Sequence, residues 1–118
     1  MLVDDEENII DVSIEMLNKL GYRALKAISG EEAISEYRVN RAKIDLVILD
    51  MIMPKISGGE VYDKLKEINP QVKVLLSSGY SVDGQATEIL KRGCNGFIQK
   101  PFNMEELSWK IYNILESK

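Results

Sequence analysis

The chain has 118 residues, 45% hydrophobic and 29% charged, enough for one domain that buries roughly two-thirds of its unfolded surface. A net charge of −4 leaves no basic footprint for direct nucleic-acid binding. No apolar run approaches the ~20 residues of a membrane span, and the start does not resemble a signal sequence. Histidine is absent and cysteine occurs once, at Cys94. That excludes Ser-His-Asp and Cys-His chemistry, the usual catalytic zinc ligands and an internal disulfide. The expected address is a reducing one, the cytoplasm.

In chain order, residues 2–4 read as a strand that stops on the pair Asp4-Asp5. Only Met1, Leu2 and Val3 precede that pair. Roughly two or three more apolar residues would normally fill a central strand, each worth about 1.5–3 kcal/mol when buried. The expectation is a single domain over residues 1–118 whose first strand is truncated at the N-terminus. Ile9, Val12 or Ser13, Met16, Leu17 and Leu20 make one helical stripe, which Gly21 ends. Residues 22–28 give a second strand, and its Arg23 and Lys26 suit a sheet edge.

Ser29-x-x-Glu32 opens the next helix as a capping box, with Ala33, Ile34 and Tyr37 on its apolar side. Residues 44–49 are continuously apolar, as a central parallel strand must be, and the run stops on Asp50. Ser57-x-x-Glu60 opens a third helix, striped by Val61, Leu65 and Ile68. Residues 72–77 make the fourth strand, which runs into Ser77-Ser78. The fourth helix, around residues 83–92, holds Gly84 and has only Ala86, Ile89 and Leu90 to bury. It is weakly specified, as a mobile element would be.

Cys94, between Gly93 and Asn95, reads as a small packing residue. Residues 96–98 form the fifth strand, with Lys100-Pro101 just beyond. Asn103-x-x-Glu106 opens the last helix, striped by Met104, Leu107, Ile111 and Ile114. Trp109 lies about 180° from that stripe and Tyr112 is well off it, so both are candidates for an exposed partner surface.

The repeating unit is strand then helix, which predicts an α/β domain: a doubly wound five-stranded parallel sheet with five helices on its two faces. In such a sheet all strand C-termini open on one edge. That edge gathers Asp4, Asp5, Asp50, the Ser77-Ser78 pair and Lys100. Three carboxylates within ~5 Å repel by about 3 kcal/mol per pair at an effective dielectric of 20, and left alone they take up protons. A divalent oxygen-seeking cation is the economical remedy. Few carboxylates and open positions favour Mg²⁺ over Ca²⁺.

A hydroxyl and an ammonium beside such a carboxylate can hold a phosphoryl group, and the carboxylate can attack phosphorus to form an acyl phosphate. Singly, these features are an acidic helix N-terminus, a serine turn and a Lys-Pro loop. Their order along one sheet edge is what carries the reading.

The tracts "LVDDEE", "DLVILDMIMP", "SGG", "VLLSSGYS" and "GFIQKPF", in this order and spacing, resemble the response-regulator receiver domain of bacterial two-component signalling. The resemblance covers essentially the whole chain. The stretch from "SSGYSVDG" to "FIQKPF" is similar to receivers attached to hybrid sensor kinases. The resemblance implies strand order 2-1-3-4-5, with Asp50 as phospho-acceptor. It implies Asp5 as a direct Mg²⁺ ligand, Asp4 in the same pocket chiefly through water, and the Ile52 carbonyl completing the protein's share. Ser78 would be the switch hydroxyl, with Ser77 the alternative register, and Phe97 the switch aromatic. Lys100 would pair with the phosphate, across a cis Lys100-Pro101 bond.

The implied donor is the phosphohistidine of a sensor histidine kinase or a histidine phosphotransfer domain. The readout is the surface of the fourth helix, fifth strand and fifth helix, which also offers a homodimer contact. Such a domain catalyses only its own phosphorylation and slow dephosphorylation. Ile52 and Tyr80, both bulky, stand where the family governs water access to the phosphate, so slow decay is expected.

A Mg²⁺-dependent aspartyl phosphatase would want a second acid where Ile52 stands. A nucleotide or flavin sheet would want a glycine-rich loop after the first strand. A docking module that never carries phosphate would give no reason for the intact site positions.

Overall fold

The computed structural model describes residues 1–79 and 84–116. The elements are β1 (Leu2–Val3), α1 (Glu7–Lys19), β2 (Lys26–Ala27), α2 (Gly30–Asn40), a 3-10 turn (Arg41–Lys43), β3 (Val47–Asp50), α3 (Gly58–Ile68), β4 (Val74–Ser78), α4 (Gly84–Lys91), β5 (Gly96–Gln99) and α5 (Met104–Glu116). The five strands are parallel throughout and lie in the order β2-β1-β3-β4-β5, the expected class and order.

Strand alternation builds two cores from one sheet. Val3, Val47, Leu49, Val74 and Leu76 pack on one face with Ala33, Tyr37, Val61, Leu65, Ala86 and Ile89, so α2, α3 and α4 cover it. Leu2, Ile48, Leu75 and Ile98 point the other way, to Ile10, Leu17, Leu107, Ile111 and Ile114 of α1 and α5. With helices on both sides, β3 and β4 are buried along their whole length.

Several strand bounds differ from the sequence expectation. Of residues 22–28 only Lys26 and Ala27 join the sheet. An edge strand has one neighbour, and β1 pairs Leu2 with Lys26 and Val3 with Ala27 and no further. The third strand starts at Val47 because the 3-10 turn precedes it and Ile44 N–H closes back on the Arg41 carbonyl. It runs one residue past Leu49, to Asp50.

The N-cap bond of all three capping boxes forms. Ser29 Oγ accepts from Glu32 N–H at 3.1 Å, Ser57 Oγ from Glu60 N–H at 3.3 Å, and Asn103 Oδ1 from Glu106 N–H at 2.8 Å. Each such cap contributes about 1 kcal/mol. Gly21 takes φ +92° just after α1, and Tyr22 N–H reaches back to the Leu17 carbonyl at 2.9 Å, as a helix stop by glycine requires.

The apolar stripe of α1 is a correction. The buried residues are Ile10, Ser13 and Leu17, whereas Val12 is exposed and Ile9, Met16 and Leu20 are only partly covered. The apolar arc of α1 is wider than the core can use: of the expected stripe Ser13 and Leu17 are buried, and Ile9, Val12, Met16 and Leu20 lie on its outer half. On α5, Leu107, Ile111 and Ile114 are buried as expected, while Met104 stands exposed. Leu90 of α4 is half-buried. Cys94 is half-buried with a free thiol whose Sγ donates to the Val74 carbonyl at 3.2 Å. Burial pushes that thiol's pKa up, consistent with a packing role.

Lys55, in the loop between β3 and α3, holds φ +69°, a conformation that costs an L-residue about 1–2 kcal/mol. Lys55→Gly is therefore expected to raise the unfolding free energy by about 1 kcal/mol, part of the strain being offset by glycine's greater freedom when unfolded. Urea denaturation measures it. A loss of stability would mean that the lysine side chain contributes more than its backbone costs.

Candidate functional site

Strand alternation also decides which polar side chains meet. Leu2, Ile48 and Ile98 share the α1/α5 face. Two residues further along each chain, at the C-terminal edge, the same side presents Asp4, Asp50 and Lys100. Asp4 is 2% exposed and Asp50 4%. Lys100 Nζ lies 3.0 Å from Asp4 Oδ2 and 3.3 Å from Asp50 Oδ1, donating to both. Asp5, exposed, offers a carboxylate oxygen within 4.8 Å of oxygens of Asp4 and Asp50. The sequence-predicted acid cluster is thus assembled, at the crevice where the strand order reverses between β1 and β3.

One lysine does not neutralise three carboxylates. Burial first, and then the Asp4 charge, push the Asp50 carboxyl up to about 6. Lys100 and the Ile52 N–H bond pull it back only in part. For Lys100, burial works to lower the pKa, but its hydrogen bond to Asp4 and the charges of Asp50 and Asp4 outweigh burial and hold it above the ordinary value. Asp4 is further tied down because its Oδ1 accepts from Glu6 N–H at 3.0 Å.

Three hard oxygen donors, two of them (Asp5 and Asp50) in the wall of an open cleft with Asp4 buried beside them, are a donor set that suits Mg²⁺. The cleft measures about 870 Å³ and has Asp5, Asp50, Ile52, Ser78, Gly79 and Lys100 in its walls.

Ser78 lines this cleft, whereas Ser77, buried to 2%, pairs with Asp50 in the β3–β4 ladder beneath it. Lys100 N–H donates to the Ser78 carbonyl at 2.7 Å, which ties the end of β5 to β4. The Lys100-Pro101 peptide is cis, as expected. Phe97 is half-buried on the α2/α3/α4 side. Ile52 is 54% exposed at the cleft mouth. Tyr80 lies outside the described residues. Trp109 and Tyr112 are exposed on α5 and do not line this cleft; the groove they line continues to Leu20 and Tyr22.

Reading the α1 stripe as core missed a second part of the site: Ile9, Val12 and Met16 line the cleft together with Phe102. The available signal was the excess width of the apolar arc on α1.

A family model described as the response regulator receiver domain matches residues 1–112. The chain is a response regulator receiver domain. As a receiver it belongs to the two-component systems, whose receivers are signalling modules that bind Mg²⁺ in an acidic pocket and interact with histidine kinases or phosphotransfer proteins.

It is 29% identical to the sensor kinase CckA of Brucella abortus over 118 residues, all of this chain but 12% of that protein. The receiver thus spans a small part of that curated relative. A response regulator receiver domain protein from Clostridium thermocellum superposes with TM-score 0.92 at 32% identity, covering 97% of this chain and 90% of the other. The response regulator TrrA of Thermotoga maritima, solved in complex with Mg²⁺-BeF, gives TM-score 0.84 at 34% identity, covering 96% and 95%.

Proposed function

We propose that this receiver accepts a phosphoryl group on Asp50 from the phosphohistidine of a sensor histidine kinase or histidine phosphotransfer domain. The observation that carries the reading is the arrangement of Asp4, Asp5, Asp50 and Lys100. A buried carboxylate at a strand end has an ammonium 3.3 Å away and two further acids beside it. A carboxylate oxygen of Asp50 forms the bond to phosphorus as the P–N bond breaks, and the electron pair of that bond stays on the departing imidazole, which takes a proton from water.

Asp5, Asp50 and the Ile52 carbonyl would hold Mg²⁺, with Asp4 contributing chiefly through water. When bound, the ion neutralises charge on the oxygens of the transferring group. That TrrA was solved in complex with Mg²⁺-BeF supports Mg²⁺ as the ion here.

Lys100 then pairs with the new phosphate oxygens in place of the bare carboxylate. Ser78, already in the cleft wall, donates its hydroxyl to one of them, and Phe97 moves into the space it leaves. The change is read on the surface of α4, β5 and α5. The likeness to CckA supports a place in a sensor kinase, and the likeness to the response regulator SaeR of Staphylococcus epidermidis a place in a regulator. A cytoplasmic setting fits the unpaired Cys94, and no described helix is long and apolar enough to cross a membrane.

Incubation with a small phosphodonor, with and without Mg²⁺, followed by intact-mass measurement tests the reading. One phosphoryl group should be gained with Mg²⁺ and none with a chelator. A protein that stays unmodified under both conditions would end it.

Ile52, over half exposed at the cleft mouth, shields the acyl phosphate from attacking water. Ile52→Asn, which can orient that water, should shorten the phosphorylated lifetime several-fold in a mass time course. An unchanged lifetime would remove the shielding role.

A further inference from the structure

Among the described residues one buried side-chain oxygen has no hydrogen-bond partner, the hydroxyl of Tyr62 on α3. The residue is 1% exposed, and a hydroxyl closed off from solvent and left unpaired marks an arrangement that another would improve. The end of α4 stands in front of it: a Cβ on Gly93 would lie 3.6 Å from the hydroxyl oxygen. Gly93, at φ +111°, closes that helix. Its N–H reaches the Leu90 carbonyl at 3.1 Å and Cys94 N–H the Ile89 carbonyl at 3.4 Å, the pairing of a glycine stop. The Lys91 and Arg92 carbonyls lie past these bonds, where a helix has no donor of its own to offer.

The helix α4 is lightly fastened. Ala86 and Ile89 are its buried residues, and they pack in the cluster that Phe97 joins from β5. Ile89 reaches α3 at Gly59, where a Cβ would stand 3.4 Å from its Cδ1. A polar tie holds the helix end: Arg92 Nη1 donates to both carboxylate oxygens of Asp63, at 2.6 and 2.7 Å. Asp63 follows Tyr62 directly, so this pair clamps the same end of α4 that faces the unpaired hydroxyl.

The two features pull in opposite directions. The ion pair favours the present seat of α4, and the orphaned hydroxyl disfavours it. Phe97 tips the balance. Packed with Ala86 and Ile89, it supports the present seat; in the switching step proposed above it moves towards Ser78, and that support goes.

We propose that the Asp63–Arg92 pair is an autoinhibitory latch, which opens when α4 shifts on α3 and brings a carbonyl of its last turn to the Tyr62 hydroxyl. The latch rests on Asp50 as the phospho-acceptor and is what opposes its switching. Neither Asp63, Arg92 nor Tyr62 lines the cleft, so they act on Asp50 only through the position of α4. Whatever weakens the latch then tightens the phosphoryl site, because the two equilibria are linked.

Calorimetric titration with Mg²⁺ and beryllofluoride, a phosphoryl mimic, reads the coupling. Asp63→Asn and Arg92→Gln remove opposite charges, yet each is expected to bind the mimic about threefold more tightly than the wild type, the scale of an exposed ion pair. Asp63→Arg with Arg92→Asp rebuilds the pair and should return the affinity to that of the wild type. Tyr62→Phe keeps the ring and loses the bond gained on opening, so it should bind the mimic about threefold more weakly.

Single variants that move in opposite directions would reduce the effect to net charge and overturn the latch, as would two that match the wild type. A Tyr62→Phe protein that binds as tightly as the wild type would overturn it equally, because opening would then bring the hydroxyl nothing. A wild type that takes up no mimic at all would instead end the phospho-acceptor reading, and the latch with it.

Discussion

Replacing Asp50 with asparagine is expected to abolish phosphoryl uptake and, at pH 7 without metal, to make the protein more stable by about 2–3 kcal/mol. The two effects come from one cause. Folding places the Asp50 carboxyl where burial and the Asp4 charge raise its pKa from 3.8 to about 6. Between those values the folded state binds more protons than the unfolded one, so stability falls as pH rises through the window and the full cost is present above it. The asparagine variant carries no such cost, and Lys100 keeps its 3.0 Å contact with Asp4.

Denaturation of both proteins from pH 4 to 7 in chelator reads the difference. The gap should be near zero at pH 4 and should open by pH 6.5. Adding Mg²⁺ should stabilise the wild type, by the logarithm of its saturation, and the variant far less. A gap that stays flat across the window would mean that Lys100 fully offsets the buried charge.

Gly58→Ala is expected to cost about 3 kcal/mol or more and to slow phosphoryl uptake with it. A Cβ at this position would stand 2.6 Å from Met51 Cα, 2.7 Å from the Asp50 carbonyl oxygen and 2.9 Å from that of Met51. All three are backbone atoms, so nothing can swing aside. Gly58 N–H also donates to the Met51 carbonyl at 2.9 Å, so the first turn of α3 is built directly onto the peptide that follows Asp50. Backing α3 away displaces the acceptor.

The neighbouring Gly59→Ala is the control. Its Cβ would come nearest Ile89 Cδ1 at 3.4 Å, Arg92 Nη2 at 3.5 Å and Ile89 Cγ1 at 3.7 Å, side-chain atoms at ordinary contact distance, and alanine's better helix propensity offsets the rest. It should leave stability within about 0.5 kcal/mol and uptake unchanged. If Gly58→Ala behaved like Gly59→Ala in chevron and mass measurements, the close approach would not position Asp50.

Much of this domain is legible without coordinates because its signals are local. The capping boxes at Ser29, Ser57 and Asn103 name three helix starts from residues three apart, and all three bonds form. The continuous apolar run into Asp50 identifies a central strand ending on a carboxylate, since only a strand covered on both faces reads that way. The edge position of the second strand follows from its charges.

The α1 stripe was right at Ser13 and Leu17 and missed elsewhere for the opposite reason. Ile9, Ile10, Val12, Met16 and Leu17 are all apolar, and composition on one helix does not say which half of a wide arc meets the sheet. Ile10 and Leu17 are the ones that share a core with Ile48 of β3 and with Ile111 and Ile114 of α5, segments far along the chain. The same holds for Lys100. Its chemistry can be read in the sequence, but its shared grip on Asp4 and Asp50 spans 96 and 50 positions and exists only once β5 has docked on β4.

By itself, then, the amino-acid order determined the strand and helix periods, the caps and the types of group at each strand end, because each depends on residues within a turn or two. The tertiary structure alone decided which acids share the lysine, how far Asp50 is desolvated, how close α3 comes to it and which apolar residues stay exposed. Those are properties of distances between chain segments far apart in sequence, and only closure of the sheet sets them.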